Sequence, residues 1–330
     1  MSLLRLPPET LRQIFDQLDP SFFHQDVGRL TVCKQWFSFA LPVCYKRITL
    51  SQAALRKLIA SGVMKKASLL QDNLETLVLD PKRYQSCISP SHTQEYAQES
   101  VSLQTASALN EAPSDYVATT EIRFRNDDLA QIAIIVQQSR RLRTLRMRTW
   151  SSPPKPDYLS LFTIGAFLSV ENLSVLVLDL AGISLDSLAH QEEGSHICPT
   201  IAATLRTLRT LHLRMRSICP DVLKPQDPDE NLHLSVVAIN LSLVTNQPAE
   251  TLAVYSERCG PEVGFNQLKA DMQEEAEALA TRMESPKIIR ILTPSFQHCR
   301  TKSLDVLTGK IMILDRDAAW DEDGKIVQED

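Results

Sequence analysis

LSVLVLD (Leu173–Asp179) puts leucine at its first, fourth and sixth positions, and the same spacing returns three more times. The other copies are LETLVLD (Leu74–Asp80), LRTLRMR (Leu142–Arg148) and LRTLHLR (Leu208–Arg214). Alternation along an extended chain turns positions four and six to one face and five and seven to the other. Each copy therefore reads as a strand with one buried face. The last three copies start about 31 and 35 residues apart, and the first gap spans about two such units. TTEIRFR (Thr119–Arg125) reads as an irregular strand inside that gap. Helical spacing fills the intervals: Asp127–Ser139 with Leu129, Ile132 and Val136, then Asp157–Val170, then Pro199–Leu205. HLSVVAINLSL (His233–Leu243) and KIIRIL (Lys287–Leu292) read as further strands. Between them, Phe265–Met283 reads as a long helix with one apolar face. One strand and one helix per repeat of 20–35 residues predicts an α/β solenoid.

The first fifty residues follow a different rule. In LLRLPPETLRQIFDQL, Pro7-Pro8 suits a helix start, Glu9 suits the positive end of the dipole, and Asp19-Pro20 ends the helix. Leu11, Ile14, Phe15 and Leu18 form its apolar stripe. A second helix is expected from about Asp26, with Val27, Leu30, Val32, Cys33, Trp36 and Phe37 as apolar positions. Leu41, Cys44, Tyr45 and Ile48 mark a third short element. Three small helices cannot hide so much apolar surface among themselves, so part of it must face a partner or the rest of the chain.

The run Leu6-Pro7-x-Glu9-x-Leu11-x-x-Ile14-Phe15-x-x-Leu18, then Asp26, then Val32-Cys33-Lys34-x-Trp36, resembles an F-box over residues 3–50. The resemblance implies a three-helix module that binds the Skp adaptor of a cullin–RING ubiquitin ligase. It implies Leu6, Pro7, Leu11, Ile14, Phe15 and Leu18 as adaptor-facing or closely supporting residues. Val32, Cys33 and Trp36 match positions that fill the module's own core. Phe22-Phe23 and a mid-helix Gly28 depart from the pattern. Glycine there costs about 1 kcal/mol relative to alanine, so the second helix is expected to start late or bend.

Residues 51–310 resemble the irregular leucine-rich-repeat-like solenoids of fungal F-box proteins, and SLDVLTGK (Ser303–Lys310) resembles their closing segment. The ninth repeat position, often asparagine in leucine-rich repeats, is Lys82, Trp150, Ala181 and Arg216, so the solenoid should be irregular. The expected organisation is an F-box at 1–50, the solenoid at 51–310 and an acidic tail or hairpin at 311–330. Serine-rich Pro81–Asp115 is expected as a mobile insertion and Pro220–Asn231 as a loop.

The 330 residues are 43% hydrophobic and 23% charged with a net charge of −5, which speaks against nucleic acid or an anionic membrane as partners. Seven scattered cysteines without a CxxC pair predict reduced thiols in the cytosol or nucleus, and a signal peptide is not expected, because Pro7-Pro8 comes before an apolar stretch could form. Nine glycines form none of the phosphate-binding or nucleophile-elbow motifs. His196-x-Cys198 has no further ligand nearby in sequence and reads as packing, and Asp321–Gly324 reads as a tight hairpin turn and not a calcium loop. No catalytic, cofactor or metal residues are identified.

On the outward strand positions lie Arg123, Arg125, Arg146, Arg148, His212 and Arg214, with Asp179 among them. Arginine forks suit carboxylates and phosphates, so this face is expected to receive an acidic or phosphorylated segment of a protein substrate. The alternatives are a solvated face whose arginines pair with loop carboxylates, and an internal contact in which Asp315, Asp317, Asp321, Glu322, Asp323, Glu329 and Asp330 fold back onto the same face. Together these readings predict a non-catalytic substrate receptor of an SCF-type ligase, with a non-ligase F-box scaffold as the alternative.

Overall fold

The computed structural model describes residues 6–61, 67–80, 115–149, 157–186, 196–227, 229, 231–243, 255–260, 263–295, 300–315 and 318–326. Residues 81–114 of the expected insertion Pro81–Asp115, and Asp317, Glu329 and Asp330, lie outside the described residues.

Three helices open the chain: α1 (Pro8–Asp16), α2 (Ser21–Gln25) and α3 (Lys34–Lys46), with a 3-10 turn at Val27–Leu30. The single second helix expected from Asp26 is thus two elements. The Asp26 side chain accepts from the Gly28 N–H at 2.9 Å and starts the 3-10 turn. The Cys33 sulfur then accepts from the Trp36 N–H at 3.4 Å and starts α3. The third element is no separate helix: Leu41–Lys46 continues α3, which passes into β1 (Arg47–Leu50).

The rest alternates as α4 (Gln52–Ala60), α5 (Ser68–Asn73), β2 (Thr76–Leu79), α6 (Asp115–Gln137), β3 (Thr144–Arg148), β4 (Asp157–Ser160) and α7 (Leu161–Leu168). There follow β5 (Val175–Leu180), β6 (Ile183–Asp186), α8 (Cys198–Ala202), β7 (Thr210–Met215), a 3-10 turn at Pro220–Leu223 and β8 (Val236–Asn240). The chain closes with α9 (Phe265–Ala280), β9 (Ile288–Ser295), β10 (Arg300–Asp305), β11 (Ile311–Leu314) and β12 (Lys325–Ile326). Ten strands form one mixed sheet in the order β1-β2-β3-β5-β7-β8-β9-β10-β11-β12, and β4 pairs with β6 separately. Pairing is parallel from β1 to β9 and antiparallel from β9 to β12. The sheet takes in residues on both sides of the expected boundaries at 50 and 310.

All four LxxLx[LM] copies are strands, and they pair in phase. Leu77, Leu145, Leu176, Leu211, Val237 and Ile289 stand side by side across six strands, and every one is fully buried. A second buried row runs two residues on through Leu79, Met147, Leu178, Leu213, Ile239 and Ile291. A shift of one residue at any strand would expose both rows, so the apolar spacing itself fixes the register. These rows share one core with the buried residues of α6, α7, α8 and α9, so the helices cover one face of the sheet. The long helix keeps the expected face, with Leu268, Met272, Ala276 and Leu279 buried.

TTEIRFR is not a strand. Thr119–Arg125 belongs to α6, which reaches Gln137 without a glycine or proline to interrupt it. Two apolar/arginine alternations are too short a pattern to outweigh that continuity. Asp157–Ser160, expected as helix, is β4.

Candidate functional site

The N-terminal helices close a small aromatic core of their own: Phe15, Phe23, Leu30, Ala40 and Val43, with Trp36, Phe39, Leu18 and Cys44 packed around it. The Trp36 ring meets Phe15 edge-on at 4.6 Å, and its indole N–H donates to the Arg29 carbonyl at 2.6 Å. Lys46 ties the module to itself and to the sheet. Its Nζ meets Asp16 at 2.8 Å, and its carbonyl accepts from the Glu75 N–H at 2.9 Å.

Apolar side chains remain outside this core. Leu6, Phe22, Val27, Val32 and Phe37 are exposed, Val27 by 65% and Val32 by 63%. They mark the entry turn, α2, the 3-10 turn, the approach to α3 and its first turn. Five large apolar side chains thus stay exposed on a small module. Of the residues expected to face the adaptor, Leu6 and Pro7 are exposed, Ile14 and Leu18 half-buried, and Leu11 and Phe15 fully enclosed. Leu11 and Phe15 thus lie beneath the surface, in the supporting place that the expectation also allowed. Val32 corrects the expectation of a place in the core, because α3 starts at Lys34 and leaves Val32 ahead of the helix and outside the core.

The second expected site is the outward face of the sheet. In register, its central row reads Val78, Arg146, Val177, His212, Ala238 and Arg290. Arg146 and Arg148 are exposed there. Arg123 and Arg125 are not on this face, since they lie in α6. Arg214 is also not free to receive a ligand: its Nε and Nη2 donate to the two Asp179 oxygens, each at 2.7 Å, in a buried fork.

His212 and Arg214 are covered by the C-terminal segment of the chain. Trp320 lies 5.2 Å below the Arg214 guanidinium and 6.0 Å from the His212 ring. It packs with Ala318 against Ala238, Leu292 and Leu314. Arg290, only 3% exposed, donates to the Glu322 carbonyl and to Asp323. Asp321 stands 4.0 Å from His212 Nε2. Burial under this cover pushes the His212 pKa below its ordinary value, against the pull of Asp321. Of the acids expected to fold back, Asp321 and Asp323 reach the sheet over β7–β9, while Asp315 stands beside Arg300 and Arg146 and Arg148 on β3 are exposed. The expected tight turn at 321–324 is part of the longer connection from β11 to β12. Gly324 is required where that connection returns, since a Cβ there would lie 2.4 Å from the Ile313 carbonyl oxygen.

Trp320→Ala removes the apolar anchor of this cover. Even part of the roughly 1.5–3 kcal/mol available from burying a large apolar side chain holds 318–326 closed. Amide exchange across 318–326 is expected to quicken about tenfold, with no comparable change in α1–α3. Hydrogen-exchange mass spectrometry reads both regions in one experiment.

Sequence spacing missed one further cluster. His196 and Cys198 are not an isolated pair: folding brings Cys219 and Cys259 beside them, all four ligand-type atoms within 4.8 Å of one another. The two partners sit 21 and 61 residues beyond Cys198, past the reach of any local spacing rule. Among the described residues no helix is long and apolar enough to cross a membrane.

Comparison with known families matches residues 3–51 to the F-box-like family model. The match covers the three helices, the 3-10 turn and β1. No curated protein matches the chain.

Proposed function

We propose that the chain is a substrate-receptor subunit of an SCF-type cullin–RING ubiquitin ligase, with its F-box-like domain as the adaptor-binding end. One observation carries this reading: the F-box-like residues 3–51 fold into a module with a closed core of its own and still expose Leu6, Val27, Val32 and Phe37. Those side chains, with Pro7 and Ile14, are the proposed contact to the Skp adaptor. Parallel strands in sequential order, each backed by a helix or turn, support reading residues 51–310 as an irregular leucine-rich-repeat-like body. That body would hold the target in the cytosol or nucleus. It needs no active site of its own, because holding a target lysine near a charged conjugating enzyme raises its effective concentration.

Arg146 and Arg148 on β3 are the proposed contact for an acidic or phosphorylated target segment. A phosphoserine brings a charge of about −1.5 to −2, matched to two such guanidiniums. His212 and Arg214 leave this role, as they lie beneath the C-terminal segment.

Co-purification of the full chain with adaptor and cullin tests the reading. Both should be retained stoichiometrically. Val32→Asp should weaken the adaptor at least about thirtyfold, the equivalent of about 2 kcal/mol, with the thermal midpoint unchanged. Adaptor retained without cullin would support a non-ligase scaffold. A folded chain that captures neither overturns the proposal.

A further inference from the structure

We propose that His196, Cys198, Cys219 and Cys259 form a structural zinc site. Three separate pieces of chain supply it. His196 and Cys198 come from the start of α8, Cys219 precedes the 3-10 turn Pro220–Leu223, and Cys259 follows the segment that bridges to Ser217. Three sulfurs and an imidazole are a preferred zinc donor set, being soft, deprotonable and four in number.

The geometry fits the ion. Zinc–sulfur bonds of about 2.3 Å set tetrahedral edges of about 3.8 Å between sulfurs. Cys198 Sγ and Cys259 Sγ are 3.8 Å apart, and Cys219 Sγ lies 3.7 Å from His196 Nδ1. No pair in the cluster exceeds 4.8 Å, so a shift of about 1 Å closes the widest edge. The site is sheltered, with Cys198 and Cys219 buried.

The surroundings are those of a metal site. Asp221 Oδ2 stands 3.8 Å from His196 Nε2 and accepts from Cys219 Sγ at 3.5 Å. A carboxylate behind a ligating histidine orients the ring and strengthens it as a donor. Lys224 Nζ in turn meets Asp221 Oδ1 at 2.9 Å. Gly260 follows the last ligand with φ at +88°, a conformation that lets the chain double back and that side chains disfavour. Backbone bonds already lash the segments together: the Ile218 N–H donates to the Glu257 carbonyl at 2.9 Å, and Ser256 Oγ to the Met215 carbonyl at 2.7 Å. Zinc would complete that clamp beside the exit of β7.

Two other uses of the same atoms are weaker. Cys219, His196 and Asp221 stand in nucleophile–base–acid order, but Cys219 is only 3% exposed and offers a substrate no approach. A Cys198–Cys259 disulfide would leave Cys219 and His196 without a role.

The full chain, purified reduced and without chelator, tests the site by metal analysis and by exchange with cobalt(II). About one zinc per chain is expected, and cobalt(II) should give the sulfur-to-metal charge-transfer and intense visible bands of tetrahedral thiolate coordination. Cys219→Ser and Cys259→Ser should each lose at least about nine-tenths of the zinc, while Cys33→Ser keeps it. The cobalt spectrum of the unaltered chain decides the matter even if a serine variant fails to fold. Absence of both retained zinc and the cobalt bands overturns the proposal. So does a Cys198–Cys259 disulfide in freshly isolated protein, or rapid alkylation of Cys219 that added zinc does not slow.

Discussion

Asp179→Ala is expected to destabilise the chain by about 3–5 kcal/mol, the cost of removing one partner from a buried ion pair. Asp179 and Arg214 face each other from adjacent strands in register, joined by two hydrogen bonds of 2.7 Å. Neither side chain is more than 10% exposed, so water cannot replace the lost carboxylate. The loss should also reach the C-terminal segment, because Trp320 lies against the same guanidinium. Changing both partners, Asp179→Leu with Arg214→Met, should recover most of the stability, since two apolar groups leave no buried charge. Urea unfolding of the two single variants and the double variant measures the coupling. A cost below about 1 kcal/mol for Asp179→Ala would place the pair among solvent-screened surface contacts instead.

Phe15→Ala should have an effect of similar size by another route. Phe15 is 1% exposed and touches the Trp36, Phe23 and Phe39 rings. Truncating such a residue costs about 3–5 kcal/mol through lost burial and the cavity left behind. A module of three short helices has little reserve, so α1–α3 should open locally, with faster amide exchange, while β5 and β7 stay protected. Adaptor capture would fall with it. The contrast with Val32→Asp is the informative part: one variant loses binding through the fold, the other with the fold intact. If Phe15→Ala kept full stability and still lost the adaptor, Phe15 would belong to the contact surface and not to the core.

The difference between these two residues shows where sequence reading stops. Phe15 and Val32 are both apolar positions of one motif; the resemblance implies the first as adaptor-facing or closely supporting and the second as core. Val32 is left outside because α3 begins after Cys33, whose sulfur accepts from the Trp36 N–H. The outward arginines divide in the same way. Arg148 and Arg214 hold the same seventh place in their repeats, yet one is exposed and the other buried against Asp179. Trp320, returning from the end of the chain, covers Arg214 and leaves Arg148 exposed. Arg290 was not singled out from KIIRIL, although register puts it in the same row as His212. Its significance comes from a partner 33 residues away.

From the sequence alone came the four LxxLx[LM] strands, the apolar face of α9 and the F-box-like helices. All are set by contacts within a few residues, where side-chain periodicity of two or three to four meets the backbone's own geometry. The tertiary structure alone decided which apolar groups of the N-terminal module stay outside, which arginines the C-terminal segment covers, and which cysteines meet His196. Those outcomes depend on packing between segments tens of residues apart, and local periodicity carries no record of which distant surface will arrive to cover it.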